Sequence, residues 1–478
     1  MEKKDFVIVG SGPAAISAAN TAAKLGVEAL VIGEDPQIGG QIYRQIISPL
    51  KFRESLLDTQ NKDIFKSLED RFAEEKIQFQ NKKLAWGIFG EDKIISIDNS
   101  DRPLIKAEKL LIAEGAYEAP VAFPGWTLPG IMTVGAVQIL LKSQGIMPQG
   151  KIILAGTGPL IYFTASQLIK NGAEVILILE SSSQTQWLRW ATKLSREPRL
   201  LGSGFKYMSI IKKQRIPIYF SSIIIEARGN DSLEEVVFAR VDNQWKPING
   251  TEQRAQVDIL ALNFGFIPST EFTHIAGCKH ICDPYLRGWI PQFNNKYETS
   301  QEGIFVAGDC TGIWGVKAAV IEGEIVGLEV ARQLGCISNT NADIGQAKLQ
   351  KVLSKHRWYK ELLRKIYAFR PGLLDLLTNE TIVCRCEEVN FKAISERIER
   401  GSLHLEQIKR LSRAGMGRCQ GRLCYPTLLG ILSRKLSLDK LNKEDFSARP
   451  PVKPIPLREL FDMSISAGSE SNLLGNDD

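Results

Sequence analysis

The stretch from Asp5 to Gln41 decides the fold and reads DFVIVGSGPAAISAANTAAKLGVEALVIGEDPQIGGQ. A short apolar run with the length of a strand leads into Gly10, Gly12 and Ala15, which are spaced as G-x-G-x-x-A. The first glycine permits a tight turn, the second lets a pyrophosphate approach the backbone, and the alanine lets the following helix pack closely on the strand. The spacing predicts the first turn of a dinucleotide-binding fold.

The elements around this turn complete the pattern. A helix predicted from Pro13 to Leu25 would present its N-terminal N–H groups to the phosphates. A second predicted strand leads to Glu34, an acid about 20 residues after the turn that is placed to accept a hydrogen bond from a ribose hydroxyl. The next loop, with Gly39, Gly40 and Gln41, resembles the one with which FAD-binding flavoproteins approach the flavin. A chance glycine-rich turn would not bring all these elements into register.

A later apolar strand matches a second flavin motif. KLLIAEGA at residues 109–116 runs into Ala113, Glu114 and Gly115. It resembles the A-T-G motif in which flavoproteins with two dinucleotide folds bring a strand back under the flavin, with Glu114 where Thr is usual.

A third flavin motif lies at residues 303–309, GIFVAGD. Gly308 and Asp309 stand where such proteins direct an acid at the ribityl and pyrophosphate part of FAD. The helix predicted from Val316 to Leu334 would point its N-terminus at the flavin pyrimidine ring and stabilise negative charge there. Three motifs in the expected order predict FAD as a cofactor.

A second strand–turn–helix repeats the first in part. It contains Gly156 and Gly158, and the following strand ends at Glu180. Ile161 occupies the position where Gly or Ala belongs, and a branched side chain there pushes the helix away from the strand. Two interpretations stay open: the turn binds NAD(P) or another adenine nucleotide, or it is a structural copy without a ligand.

Four late cysteines form a metal-binding pattern: Cys384, Cys386, Cys419 and Cys424 read C-x-C, 32 intervening residues, then C-x4-C. Four thiolates in two close pairs suit an iron–sulfur cluster or a tetrahedral zinc. Because structural zinc more commonly uses C-x2-C pairs, the C-x-C pair favours iron–sulfur. The remaining cysteines are predicted to be packing residues: Cys278, Cys282, Cys310 and Cys336.

Composition limits the classes of function. The chain has 478 residues, 44% of them hydrophobic, and a net charge of +6 without a long basic stripe, which disfavours nucleic acid as a partner. No run of 18 apolar residues predicts a transmembrane helix. Eight cysteines in 478 residues are few for a secreted, disulfide-bonded protein and are consistent with a reducing cytoplasm. A basic amphipathic helix predicted from Asn341 to Phe369 can lie on a membrane, although packing on protein is the favoured interpretation.

Several segments together resemble one family, the FAD-containing α subunits of opine oxidase, hydrogen cyanide synthase and related proline or hydroxyproline dehydrogenase complexes. The matching segments are GGQIYRQ at 39–45, FPGWTLPGIMT at 123–133, GFIPSTEF at 265–272, VCRCEEV at 383–389, RAGMGRCQGRLC at 413–424 and RPPVKPIPLREL at 449–460. The chain departs from the family at Glu114, Ile161 and the loop with Trp314.

The resemblance implies cofactors and partners. The four cysteines would be the ligands of a 2Fe–2S cluster in a domain like bacterioferritin-associated ferredoxin. An amino-acid-oxidase-like flavoprotein β subunit would oxidise the substrate, and this chain would pass electrons to a small-molecule acceptor or the respiratory chain. The location implied is the cytoplasm, with peripheral contact at the inner membrane face as an alternative.

The predicted fold class is therefore α/β: a Rossmann-like FAD domain with an inserted NAD(P)-like domain, followed by a small helical 2Fe–2S domain. The predicted boundaries are 1–122 with 267–335 for FAD binding, 123–266 for the inserted domain, 336–380 for a helical linker, 381–435 for the 2Fe–2S domain and 436–478 for a C-terminal extension with a disordered end.

The sequence favours one function and leaves two alternatives. The favoured one is an electron-transferring subunit of a complex that oxidises a C–N bond of an amino acid or opine to an imine. The first alternative is a stand-alone NAD(P)H-dependent FAD reductase, with its nucleotide at Gly156, Gly158 and Glu180. The second is a zinc-containing binding or regulatory protein. No residue is indicated as a catalytic base.

Overall fold

The computed structural model describes residues 2–45, 59–72, 75–89, 93–98, 104–186, 198–283, 285–286, 288–436 and 448–458. Part of the polar segment after Glu180 and the polar tail from Ser464 lie outside the described residues.

The N-terminal part forms most of a seven-stranded sheet, in the order β3-β2-β1-β6-β5-β4. Pairing is parallel from β3 through β2 and β1 to β6, whereas β5 and β4 are antiparallel. The elements are β1 (Glu2–Val9), α1 (Pro13–Lys24), β2 (Ala29–Gly33), α2 (Thr59–Phe72), β3 (Ile77–Asn81), β4 (Ala85–Phe89), β5 (Ile94–Ile97), β6 (Leu104–Ile112) and β7 (Ala116–Glu118). The strand β2 and the second half of β1 bury all their side chains, as parallel strands covered on both faces do.

The middle of the chain forms a second parallel sheet, in the order β11-β10-β9-β15-β8, and a separate antiparallel sheet of three strands, β12-β13-β14. The elements are β8 (Ile131–Thr133), α3 (Val134–Ile139), β9 (Lys151–Gly156), α4 (Pro159–Lys170), β10 (Glu174–Glu180), α5 (Pro198–Lys213), β11 (Ile218–Phe220), β12 (Ser222–Arg228), β13 (Glu235–Arg240), β14 (Gln253–Gln256) and β15 (Ile259–Asn263). A π-helical turn, Leu140–Gln144, follows α3.

The chain then returns to the first sheet. The elements are β16 (Phe266–Pro268), α6 (Glu271–Ile275), β17 (His280–Asp283), β18 (Gly288–Pro291), β19 (Ile304–Val306) and α7 (Val316–Gln333). The strand β16 pairs antiparallel with β7, and β19 adds to β6 in parallel. The helix α7 packs against α1, so closely that a methyl group on Gly323 would lie 2.2 Å from the carbonyl oxygen of Ala14.

The C-terminal part is a small helical unit with its own core. The elements are α8 (Asn339–Ile366), a 3-10 helix (Pro371–Leu376), β20 (Ile382–Cys384), β21 (Val389–Asn390), α9 (Phe391–Glu399), α10 (Leu405–Ser412) and α11 (Tyr425–Ser433). Asn390 caps α9 by accepting from the N–H of Ala393 at 3.0 Å. Buried Ile394, Ile408 and Leu428 join the three short helices. The observed architecture confirms the predicted α/β fold class with a helical C-terminal domain.

Two helical glycines provide a matched test of this packing. Gly323→Ala forces α7 away from α1 and should destabilise the protein by about 1–3 kcal/mol. Gly204→Ala lies in α5, where a methyl group meets no atom within 4 Å, and should stabilise by up to about 1 kcal/mol because alanine is the better helix former. The measurement is thermal unfolding followed by circular dichroism. Equal unfolding temperatures for the two variants would contradict the packing argument.

Candidate cofactor sites

Strand register brings the three flavin motifs to one edge of the first sheet. Val9 at the end of β1 pairs with Ile112 at the end of β6, and Ile112 also pairs with Val306 at the end of β19. The chain order reverses between β1 and β6, and such a switch point at the carboxyl ends of parallel strands is where ligands bind. The loops beginning at Gly10, Ala113 and Ala307 therefore surround one crevice.

The geometry of the first turn suits a dinucleotide phosphate. A methyl group on Gly10 would lie 2.4 Å from the carbonyl oxygen of Ala113, so the two strands can meet only at glycine. Gly12 caps α1, and a methyl group there would meet nothing within 4 Å. The open space in front of the α1 N-terminus is thus a cradle for negative charge. Ala15 is fully buried between helix and sheet.

The loop of residues 39–41 closes over this turn. The N–H of Gly39 donates to the carbonyl oxygen of Ser11 at 2.9 Å. A methyl group on Gly40 would lie 2.8 Å from the Cα atom of Gly12. Gln41 is exposed at the end of the loop. The loop therefore borders the phosphate cradle, and its glycines are required by the close approach.

Asp309 lies at the same edge in a buried position. The backbone N–H of Gly315 donates to its carboxylate, while Oδ1 has no hydrogen-bond partner in the part of the chain that the structure describes. Burial raises the pKa of this carboxyl, and Lys360 opposes the shift. A buried acceptor without a partner costs free energy unless a ligand satisfies it. The hydroxyl groups of a ribityl chain are suitable donors, so Asp309 fits FAD.

A buried carboxylate supports the Gly308–Asp309 loop from beneath. Oε2 of Glu322 accepts from the N–H of Gly308 at 2.9 Å and from the Thr311 hydroxyl at 3.0 Å. Its Oε1 pairs with Arg357 of α8 at 3.0 Å. A fully buried charge requires such partners. Glu322 and Arg357 are positioning residues that the sequence motifs did not identify.

Glu114 occupies the position of the usual threonine and is half-buried, with its Oε2 atom out of contact with solvent. Burial raises the pKa of its carboxyl to about 7, and the charge of Glu271 adds to the shift. Its Oε2 has no partner among the described residues. The side chain thus places a carboxyl with a raised pKa in the second flavin motif.

Glu34 stands at the end of β2, as predicted, but it also pairs with a C-terminal residue. Its Oε1 forms an ion pair with Nζ of Lys453, and the carboxylate is more than half exposed. Lys453 belongs to the segment 448–458, where Val452 is buried against the first sheet and donates its N–H to the carbonyl oxygen of Trp86 at 2.9 Å. The C-terminal segment therefore borders the site where a ribose hydroxyl would reach Glu34.

The second glycine turn, at Gly156 and Gly158, has a backbone like that of the first turn, but its acidic residue is surrounded differently. A methyl group on Gly156 would lie 1.9 Å from the carbonyl oxygen of Asn263, and Gly158 caps α4 with a positive φ of 102°. Glu180 is fully buried and both of its oxygens accept from the protein itself: Oε1 from Thr157 at 2.6 Å and from the N–H of Ser182 at 2.9 Å, and Oε2 from Tyr162 at 3.0 Å.

Side chains also crowd the mouth of the second turn. A methyl group on Gly158 would lie 3.9 Å from Cγ of Tyr367, which comes from the end of α8. Burial raises the pKa of the Tyr367 hydroxyl, and the charge of Glu180 adds to the shift. Ile161 is fully buried in the core beneath. The acid expected to bind a ribose is thus enclosed, and the turn fits a nucleotide less well than the first one does.

The four cysteines come together as two pairs in the C-terminal unit. Cys384 shares a hydrogen bond with Cys424, and Cys386 shares one with Cys419. The Cys424 contact is the largest cause that lowers the pKa of Cys384 to about 6, and the N–H of Gly415 also donates to its sulfur at 3.5 Å. Among the described residues, no group of three or more ligand side chains is arranged to hold one metal ion. Four thiols in two close pairs are the ligand set that a 2Fe–2S cluster uses.

Arg422 joins this cysteine loop to α6 and to the C-terminal segment. Its guanidinium donates to the carbonyl oxygen of Cys419 at 3.3 Å, pairs with Glu271 at 3.0 Å and donates to the carbonyl oxygen of Val452 at 3.0 Å. Tyr117 donates to the same Glu271 carboxylate at 2.9 Å. One largely buried arginine therefore contacts the cysteine loop, the flavin-binding region and the C-terminal segment. In the sequence, Arg422 is recognisable only as a neighbour of the fourth cysteine, and no pattern predicts its contact with Glu271.

The described residues contain no helix with the length and apolar character needed to span a membrane. The predicted basic helix corresponds to α8, and its buried Leu353, Leu362 and Ile366 face the protein.

Comparison with known proteins identifies the family. The family model for pyridine nucleotide-disulphide oxidoreductases matches residues 4–331, and the model for the BFD-like 2Fe–2S binding domain matches residues 382–434. An opine oxidase subunit from Rhizobium meliloti is 34% identical over 99% of this chain and 90% of its own. The hydrogen cyanide synthase subunit HcnB of Pseudomonas protegens is 30% identical over 94% and 96%.

A solved structure shows the same fold. L-Proline dehydrogenase from P. horikoshii has a TM-score of 0.66 at 21% identity, and the match covers 96% of this chain and 80% of that one. The chain therefore belongs to the pyridine nucleotide-disulphide oxidoreductase family, alongside the matched subunits of opine oxidase and hydrogen cyanide synthase. It is an oxidoreductase whose cofactors are FAD and, in the C-terminal domain, a 2Fe–2S cluster.

Proposed function

We propose that this chain is the electron-transferring α subunit of a heteromeric dehydrogenase that oxidises an amino acid or an opine-like secondary amine to an imine. A partner β subunit, similar to amino acid oxidases, would carry out the substrate oxidation. This chain would deliver the electrons to a small-molecule acceptor or the respiratory chain, in the cytoplasm or at the inner membrane face. The names of the opine oxidase and hydrogen cyanide synthase relatives, which designate subunits, support this assignment.

The contact made by Arg422 is the observation that carries the proposal. It ties the backbone of Cys419 to Glu271. The charge of Glu271 in turn raises the pKa of Glu114, which lies in the second flavin motif. A one-electron centre is useful to a flavin only when the two are held together. A fixed joint between the cysteine loop and the residues beside the flavin motifs is therefore what an internal electron path requires.

We assign the cofactors as follows. FAD would be held by the first turn and by the loops at the same edge of the sheet, and the cluster by the four late cysteines. The FAD residues are Gly10, Gly12, Ala15, Glu34, Gly39, Gly40, Gln41, Ala113, Gly115, Gly308 and Asp309, and the cluster ligands are Cys384, Cys386, Cys419 and Cys424. When bound, FAD accepts two electrons as a hydride and a 2Fe–2S cluster carries them one at a time.

The second turn disfavours the alternative of a stand-alone NAD(P)H reductase. Both oxygens of Glu180 are hydrogen-bonded within the protein, and Tyr367 lies against Gly158. A nucleotide would have to break buried hydrogen bonds to use Glu180, which costs about 1–3 kcal/mol for each unsatisfied group. We therefore infer that electrons enter from the partner subunit.

A metal analysis tests the cluster and the zinc alternative together. We expect about two iron and two sulfide per chain in the anaerobically purified protein. Cys386→Ser should abolish the visible cluster bands because it removes one predicted ligand. Cys336→Ser, at an exposed cysteine remote in sequence from the four, should leave them unchanged. A zinc-loaded wild-type protein without sulfide would overturn the assignment.

The joint can be tested by its effect on rate. Arg422→Met removes the contacts of the cysteine loop with Glu271 and Val452 and should slow cluster reduction by the photoreduced flavin at least tenfold in stopped-flow absorbance. The matched control is Arg434→Met, which breaks an exposed pair with Asp375 at 2.7 Å and should keep the wild-type rate. Equal rates in both variants would show that Arg422 does not maintain the electron path.

The direction of electron entry distinguishes the proposal from the reductase alternative. Under anaerobic conditions, NADH and NADPH should leave the flavin bands of the isolated chain unchanged. Addition of an amino-acid-oxidase-like β subunit together with an opine or proline should bleach them. Rapid bleaching by NADH in the absence of any partner would instead support the stand-alone reductase.

A further inference from the structure

The helix α8 lies beyond the segment that matches the oxidoreductase family model, which ends at residue 331, yet it covers the loop that follows Asp309. Arg357, Lys360 and Arg364 are spaced three and four residues apart and therefore share one face of the helix. All three contact the segment 309–315 or the residues that support it. This face of α8 therefore lies against the loop that follows Asp309.

Two of these side chains hold Trp314 in place. The guanidinium of Arg357 lies 5.1 Å from the centre of its ring system, and that of Arg364 lies 4.6 Å from it. Both arginines are anchored in turn, Arg357 by Glu322 at 3.0 Å and Arg364 by an ion pair with Asp283. Cation–π contacts of this kind hold a cation over the face of an aromatic ring. The loop therefore has a fixed position beneath α8.

The third side chain, Lys360, reaches the N-terminus of α7. A methyl group on Gly315, the N-cap of that helix, would lie 2.9 Å from Nζ of Lys360. Asp309 and Lys317 are the charged neighbours of Lys360. The helix α7 has 18 residues, and its N-terminus contributes partial positive charge at the same point. The lysine ammonium and the helix N-terminus thus both contribute positive electrostatic potential beside Asp309. The Oδ1 atom of Asp309 is buried and has no partner among the described residues.

We propose that Lys360 is a positioning residue for the flavin: its ammonium, together with the α7 N-terminus, faces the pyrimidine ring of FAD and stabilises the negative charge of the reduced form. The proposal rests on the assignment of FAD to the crevice at Asp309. It makes α8, an element outside the matched family model, part of the device that sets the flavin potential. The simpler alternative is that Lys360 is only the counter-ion of Asp309.

The experiment measures the bound flavin rather than turnover. Lys360→Met keeps the length of the side chain and removes the charge, whereas Lys360→Arg keeps the charge. The control is Lys365→Met, which removes an exposed charge of the same helix that pairs with Glu361 at 3.8 Å. For each full-length variant, FAD content, the dissociation constant of the flavin–sulfite adduct and the two-electron midpoint potential are determined anaerobically.

We expect Lys360→Met to weaken sulfite binding about tenfold and to lower the midpoint potential correspondingly, by about 30 mV for a tenfold change in a two-electron couple. Lys360→Arg and Lys365→Met should remain close to the wild type. A counter-ion role alone predicts altered stability with an unchanged potential in every FAD-loaded variant, and that result would overturn the proposal. Loss of FAD from both the Met and Arg variants would also overturn it, because side-chain shape rather than charge would then be decisive.

These readouts are independent of the proposed electron path. They require neither a partner subunit nor a substrate, so failure of the amine dehydrogenase assignment would leave the expected shift of potential intact. Conversely, an unchanged potential would leave the electron path through the Arg422 joint untouched. The absence of bound FAD in the wild-type chain would refute the assignment on which both depend.

Discussion

The parallel pairing of β1 with β6 is the constraint on which the rest of the molecule depends. Seven residue pairs between Glu2 and Val9 fix the register, and the alignment of Val9 with Ile112 places Gly10 against Ala113. The two backbones approach so closely that only glycine fits. Because β19 continues the same alignment, three loops separated by nearly 300 residues open at one edge. The crevice for FAD follows from this register.

The two dinucleotide-like folds show how similar backbones acquire different roles. Each has a glycine turn with a helix behind it and an acid at the end of the next strand. Glu34 is more than half exposed and is paired by a lysine at the protein surface, so a polar ligand can compete for it. Glu180 is enclosed by hydroxyl and N–H donors. A buried carboxylate that is hydrogen-bonded within the protein stabilises its own domain. Breaking those hydrogen bonds to bind a ligand costs free energy.

Charged groups also connect the parts of the chain. Glu322 links the Gly308 loop to α8 through Arg357, and Glu271 links the flavin-binding region to the cysteine loop through Arg422. Buried ion pairs of this kind contribute little net stability, because desolvation offsets the attraction, but breaking one leaves an uncompensated charge. They therefore fix relative position more than they add stability. Position is what electron transfer between two centres requires.

The sequence by itself determined the local chemistry: glycine and alanine spacing identified the first turn, the GIFVAGD segment identified the third motif, and the cysteine spacing favoured iron–sulfur over zinc. These features were predictable because each depends on residues close together in the chain, where backbone conformation and reach follow from residue type. The sequence left open whether the second turn binds a nucleotide, since the spacing of Gly156, Gly158 and Glu180 matches that of a nucleotide-binding turn. Only the tertiary structure brings Tyr162 to Glu180 and Tyr367 against Gly158, and these contacts disfavour a nucleotide at the second turn. It also decided the contacts of Arg422 with Glu271, of Lys453 with Glu34 and of Lys360 with Gly315. The two residues of each pair lie from about 45 to more than 400 positions apart, so no local pattern in the sequence indicates the contact.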